Sequence, residues 1–441
     1  MVGFMCTLSS AVSRWRSKVK PVRQWWTGAL LAFGVLFHIP WSIPYISGSQ
    51  PPMSRDSALF EYFGWLITQG GIPYYTALDL KTPLSYYLSS GLWVVAGGDP
   101  LWQHRLAVLV MVIVQIGLSL AIAHLIYDTT NSAVGAAVSG LAIYTLPAMY
   151  IGGARGLRPK TLMALAGVVA LLALVRERYL LAGVLGAVSA GFYQVGGAFA
   201  LAILGAALAE WRASGDRAPP ARVLVGGFVV GVAVALPHLL TGTGGNLLIN
   251  TVYYHTVITD TMPLADHLRL VERFVGAAIV LIPLAVAGVT IGATRPSFRR
   301  WLPSVFVLTT LQPWYLDLNG GVDMVAWWAI VCVGLGMLVA AGDDRLSTLT
   351  DRQTFATITV VTMLVLVGTG LPAYTGMHER TSNFEDSNEL DQYVIGELYW
   401  GQQLPEDCIL LAIRYYREVR DHLGYSPCQR TSVVEFLRRL G

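Results

Sequence analysis

The sequence predicts an all-α protein that crosses a membrane many times. Of its 441 residues, 54% are hydrophobic and only 13% charged, where a soluble domain carries about 25% charge. The mean hydropathy is +0.55. Apolar runs near the roughly 20 residues needed to cross a bilayer recur along most of the chain, with most charges in the segments between them or at their ends. The net charge of +3 is uninformative by itself, because charges on opposite sides of a bilayer never meet. Nucleic acid is not among the partners expected of such a chain; the bilayer is.

Eleven spans are expected, near 25–46, 103–126, 133–151, 160–175, 179–193, 195–210, 222–240, 273–293, 303–318, 323–341 and 354–372. The stretch Tyr179 to Trp211 is too long for one helix and short for two. Tyr193-Gln194 and Gly196-Gly197 mark a break there, of the kind tolerated where it lines a cavity within the protein.

Charge placement tests the count. With residues 1–24 as a cytoplasmic leader, the inner side collects Arg14, Arg16, Lys18, Lys20 and Arg23, then Arg176, Arg178, Arg212, Arg217, Arg222 and later arginines. That is the bias of the positive-inside rule, and it reverses if 179–211 is a single span. The C-terminus then lies outside. No cleavable signal peptide is expected, since no apolar run precedes Arg14.

Three long segments fall outside the membrane in this layout. Residues 47–102 hold two amphipathic stretches, 57–69 and 83–97, suited to the interface. Residues 241–272 form a second large outer loop. Residues 373–441 form a polar extracellular tail that contains Cys408 and Cys428. An oxidising exterior permits a disulfide between these two, against the alternative of two unrelated thiols. The transmembrane domain itself is 25–372. No metal site is expected, because the spacing of Cys and His is too loose; no cofactor is indicated, and a divalent ion is left open.

The first outer segment carries the chemistry. It reads Arg55-Asp56-Ser57, continues through Glu61, then Gly70-Gly71-Ile72-Pro73-Tyr74, and closes with Lys81-Thr82-Pro83-Leu84-Ser85-Tyr86-Tyr87. A carboxylate at the mouth of the bilayer can take the proton of an acceptor hydroxyl. Nearby cations can hold a phosphate and offset the charge that develops on it as it leaves. A phosphate needs no protonation to depart, so one carboxylate suffices, unlike the pair of a glycoside hydrolase.

This segment resembles the first outer loop of the GT-C membrane glycosyltransferases of the protein-mannosyltransferase type. Their loop runs Arg-Asp-Glu, then a tyrosine-bearing helix, a Gly-x-x-Pro-Tyr turn and Lys-Pro-Pro-Leu. Ser57 stands here in place of the second acid, and Thr82 in place of the first proline. The end of the chain, with Leu404-Pro405-Glu406-Asp407-Cys408 and Cys428, resembles those of haloarchaeal dolichol-phosphate-mannose mannosyltransferases. The resemblance implies a GT-C fold and a polyprenyl-phosphate sugar donor, and it gives Asp56 the role of base.

Each candidate also has a plainer reading. Asp56 suits the N-cap of a helix starting at Ser57. Lys81 is either a donor-phosphate ligand or a lysine snorkelling to the interface. Arg105, at the mouth of the second span, binds either the donor phosphate or lipid headgroups. Arg155, Arg158 and Lys160 run against the positive-inside bias, which points to something anionic outside: the donor phosphate, with Arg158 and Lys160 as its ligands, or lipid headgroups. Glu61 is either an acceptor contact or part of a solvated helix face. Arg55, Tyr86, Tyr315 and Asp317 are further candidates for acceptor or sugar binding. The turn 312–323 places Asp317 and Asp323 at the outer rim, where pairing with Arg158 or Lys160 would relieve their cost.

The expected activity is inverting transfer of a hexose, mannose by the resemblance, from a polyprenyl phosphate to a hydroxyl of a glycan or glycoprotein outside the cell. Transfer of another lipid-linked sugar to a lipid or polymer is the alternative within enzymes. A glycolipid flippase or transporter is the alternative outside them, and it would place charges near the bilayer midplane.

Overall fold

The computed structural model describes residues 25–47, 55–76, 79–152, 156–253, 263–295, 301–315, 321–346 and 348–386. Their regular elements are helices. The chain enters through α1 (Trp25–Ile46) and makes a hairpin of two shorter helices, α2 (Arg55–Thr68) and α3 (Leu84–Val95). These are the two stretches expected in the interface. They pack on one another at Gly64, where an added Cβ would lie 2.5 Å from Ser89 Oγ. Phe60, Phe63, Tyr74 and Tyr86 form a buried cluster with Ala107, Met111 and Leu162, which seats the hairpin on the helices that follow.

The long helix α4 (Pro100–Thr130) starts where its sequence says it should. Asp99 accepts hydrogen bonds from the Leu101 and Trp102 amides at 2.8 and 3.1 Å, and Pro100 occupies the first turn. Asn131, in the left-handed region at φ 58°, ends it. Ser132 then caps α5 (Ala133–Ala142) through the Gly135 amide. A 3₁₀ turn, Ile143–Thr145, and the short α6 (Ala148–Gly152) lead to α7 (Pro159–Val175). Next come α8 (Tyr179–Phe192), α9 (Gly197–Ser214), α10 (Ala218–Leu240) and the short α11 (Gly244–Leu248). The described chain closes with α12 (Leu264–Val275), α13 (Leu281–Thr294), α14 (Leu302–Tyr315), α15 (Val325–Asp343) and α16 (Leu349–Asp386).

Among the described residues, seven helical stretches are long and apolar enough to cross a membrane. Four shorter apolar helices, Ala133–Thr145, Pro159–Val175, Tyr179–Phe192 and Leu302–Leu311, coincide with four further expected spans but fall short of the length needed to cross. The 3₁₀ turn at Ile143 and the break after Phe192 account for two of these short lengths. At 179–211 the chain forms two helices packed on each other, with extended Tyr193 (φ −158°, ψ 139°) and a 3₁₀ turn, Gln194–Gly196, between them. The last helix continues through Asp386, beyond the membrane boundary expected at 372.

Helix ends gather at two poles. Arg176 pairs with Asp128 at 2.7 Å, Arg295 with Asp344 at 3.0 Å, and Ser132 Oγ reaches Asp343 at 2.9 Å. All of these groups belong to the pole expected to face the cytoplasm. Helix α15 runs through the centre, buried along nearly its whole length. Outward-facing Val225, Phe228, Val229 and Leu240 on α10 are exposed, which suits a lipid-facing helix.

Small residues let neighbouring helices touch backbone to backbone, as in other membrane bundles. A Cβ added to Gly288 on α13 would overlap the Gly334 carbonyl oxygen on α15. Gly288→Ala is therefore expected to force those helices apart and to cost about 1–3 kcal/mol. The thermal midpoint of the detergent-solubilised protein should fall. Gly231→Ala, with nothing within 4 Å of its new Cβ, should leave the midpoint within error; equal shifts in the two variants would contradict the close packing.

Candidate active site

At the other pole, three segments distant in sequence meet around one small cleft lined by Asp56, Phe60, Lys81, Arg158, Pro159, Lys160 and Tyr193. Asp56 sits in the first turn of α2, a favourable place for a carboxylate at a helix N-terminus. Because the helix begins at Arg55 rather than Ser57, Asp56 lies within the first turn instead of capping it. Its Oδ2 accepts a hydrogen bond from Arg158 Nη1 at 3.0 Å. The carboxylate is 57% exposed and the arginine 13%, so the acid faces outward while its partner is held by the fold.

Pro159 fixes the start of α7, which places Arg158 and Lys160 on either side of the helix entrance. Lys160 pairs with Asp323, a buried carboxylate in the 3₁₀ turn Gly321–Met324 that precedes α15. Its Nζ lies 5.0 Å from the centre of the Tyr193 ring. The break between α8 and α9 thus presents an aromatic wall to the cleft, where non-helical backbone at membrane depth is tolerated.

Lys81 is delivered by the loop between α2 and α3. Several bonds hold that loop. Tyr74 Oη donates to the Lys81 carbonyl, and Gln194 Nε2 donates to that of Leu80. Tyr86 Oη donates to the Asp79 carboxylate at 2.5 Å, and Asn246 Nδ2 to the Tyr74 carbonyl at 3.2 Å. The Lys81 ammonium lies 4.8 Å from the Phe60 ring centre, a cation–π distance. Burial opposes its charged form, but Asp79 and Asp56 outweigh that, and the amine's pKa is raised above its ordinary value. The arrangement places one outward carboxylate among three cations and two aromatic rings, which suits it to grip a phosphate beside a hydroxyl that must lose a proton.

The chain is also similar to known proteins. Residues 70–236 match the family described as DolP-mannose mannosyltransferase. Over 324 residues the chain is 24% identical to the dolichol phosphate-mannose mannosyltransferase of Haloferax volcanii, an alignment covering 73% of this chain and 69% of that protein. Among solved structures it is similar to ArnT from Cupriavidus metallidurans bound to undecaprenyl phosphate, with a TM-score of 0.53 and 16% identity. It is also similar to the Archaeoglobus fulgidus oligosaccharyltransferase tethered with an acceptor peptide, with a TM-score of 0.52 and 13% identity. Each superposition covers 80% of this chain; it spans 65% of the ArnT chain and 55% of the oligosaccharyltransferase. In fold the chain is similar to these membrane proteins, and over residues 70–236 it matches the mannosyltransferase family.

The structure brings together four of the residues singled out in the sequence: Asp56, Lys81, Arg158 and Lys160. Arg105 lies elsewhere. Its Nε donates to the Ile46 carbonyl at 2.9 Å, and its guanidinium carbon sits 4.9 Å from the Trp102 ring centre. Glu61 is not on a solvated face but fully buried, 2.9 Å from His104 Nδ1. Tyr86 is buried beneath the Lys81 loop. Of Arg55 and Tyr315 only the helical backbone is described, and Arg155, Asp317, Cys408 and Cys428 lie outside the described residues. The expected pairing of a rim aspartate with Arg158 or Lys160 is found for Asp323 and Lys160. Phe60 and Tyr193 were not foreseen as walls of the site; the Tyr193 break was visible, but only as a helix interruption.

Proposed function

We propose that this glycosyltransferase moves mannose from a dolichyl-phosphate or related polyprenyl-phosphate donor to a hydroxyl of a glycan or glycoprotein on the outer face of the membrane. The observation that carries this reading is the meeting of Asp56 with Lys81, Arg158 and Lys160 at one cleft. Asp56 takes the acceptor proton as general base. The acceptor oxygen bonds to the anomeric carbon as the bond from that carbon to the phosphate oxygen breaks. The electron pair stays on the phosphate, where the three cations offset its charge. With one direct displacement and no enzyme nucleophile, the sugar's anomeric configuration inverts.

The family match over 70–236 and the Haloferax volcanii relative favour mannose and a dolichyl carrier. The site then lies at the outer pole, with the N-terminus cytoplasmic and the C-terminus extracellular. A glycolipid transporter fits less well, because Asp56, Lys81, Arg158 and Lys160 cluster at one pole rather than midway along the bundle. Deleting the gene and measuring the intact mass of the organism's glycans tests the reading. A glycan shortened by a terminal hexose is the expected result, and unchanged glycans in every class would reject it.

A further inference from the structure

Beneath the cleft lies a second acid that touches both halves of it. Glu61 stands one turn after Ser57 on α2, and both are fully buried. Its carboxylate oxygens lie 2.9 and 3.3 Å from His104 Nδ1, at the start of α4. Beside His104, Gln103 Nε2 donates to the Glu61 carbonyl at 3.1 Å and to the Ser89 carbonyl and hydroxyl at 3.2 and 3.0 Å. The start of α4 therefore clamps α2 to α3 at the level of Glu61.

On the other side, Gly156 presses against the same carboxylate. It holds φ +92°, and a Cβ there would come within 2.8 Å of both Glu61 Oε1 and Ser57 Cβ. Only glycine lets the backbone settle so close. Two residues further on is Arg158, bonded to Asp56, which itself adjoins Ser57. One buried carboxylate is thus the seat for the turn that brings the arginine, and it belongs to the helix that brings the base.

We propose that the Glu61–His104 pair fixes the Gly156–Arg158 turn against α2, making Glu61 a positioning residue for the Asp56–Arg158 pair rather than an acceptor ligand. A buried carboxylate persists only with good partners, and here those partners join three separate segments. The proposal rests on Arg158 being a donor-phosphate ligand.

The test is a double-mutant cycle on the full-length protein in lipid nanodiscs, with radiolabelled dolichyl phosphate as the probe. Glu61→Ala is expected to weaken binding roughly 5–10-fold in the wild-type background and less than about twofold in an Arg158→Ala background, since coupled residues are non-additive. Glu61→Gln, which refills the volume and leaves the imidazole a polar neighbour, should regain most of the lost affinity. Gly156→Ala reaches the same contact from the opposite side and should show the same dependence on background, even if Glu61→Ala fails to fold. Equal losses in both backgrounds would mean general destabilisation and overturn the proposal. If Arg158→Ala weakens binding while Glu61→Ala and Gly156→Ala do not, the positioning role alone is rejected. If Arg158→Ala binds like wild type, the phosphate-site reading fails and the positioning role falls with it.

Discussion

Asp56→Asn is expected to give a full-length, inserted protein whose transfer rate is at least ~100-fold lower than wild type, the scale of a lost general base. Asparagine matches the carboxylate in size, and its amide oxygen can still accept the hydrogen bond that Arg158 gives Asp56 at 3.0 Å. What it lacks is the ability to take a proton. Initial rates with dolichyl-phosphate mannose, at matched protein levels and with dolichyl-phosphate binding measured in parallel, check the prediction. Loss of rate with retained binding is the expected pattern. A variant that transfers near the wild-type rate would remove Asp56 from the chemistry, and the cleft would need another base.

Arg158→Ala should act on the donor instead. A charge-assisted contact of this kind is worth about 1.5–3 kcal/mol, so the donor concentration giving half-maximal rate should rise roughly ten- to hundredfold. Arg158 is only 13% exposed and precedes the proline that starts α7, so its guanidinium cannot easily be replaced by a mobile neighbour. Arg105→Ala provides the contrast. That guanidinium rests on the Ile46 carbonyl and the Trp102 ring, and its loss should change donor dependence much less. Donor titrations of the two variants separate the cases: equal shifts would mean that Arg105 moves into the cleft when the donor binds.

Composition and the spacing of apolar runs were enough to read the helical membrane architecture, because each helix in a bilayer must satisfy its own backbone. The break at Tyr193-Gln194 was legible for the same reason, since two adjacent glycines follow and the apolar run fits neither one span nor two. Asp56 and Lys81 were legible from the motif of the first outer loop, and Arg158 and Lys160 because cations outside the membrane violate a strong bias. Their grouping was not a matter of sequence spacing: Asp56 and Arg158 are 102 positions apart. Glu61 was misjudged as plausibly solvated, since nothing local shows that Gln103 and His104 would cover it. Arg105 misled in the opposite direction, because an arginine at a helix mouth looks the same in sequence whether it faces a cleft or folds back on a neighbouring carbonyl.

The pairing of Lys160 with Asp323 has a consequence for how the enzyme is made. The lysine leaves the ribosome 163 residues before its carboxylate, an interval of roughly 10–30 s at ~5–20 residues per second. Throughout that time most of the bundle can enter the bilayer, yet the ion pair beside the cleft cannot close. Every nascent chain shorter than 323 residues therefore lacks it, and completion of this wall of the site waits for one of the last helices to be synthesised.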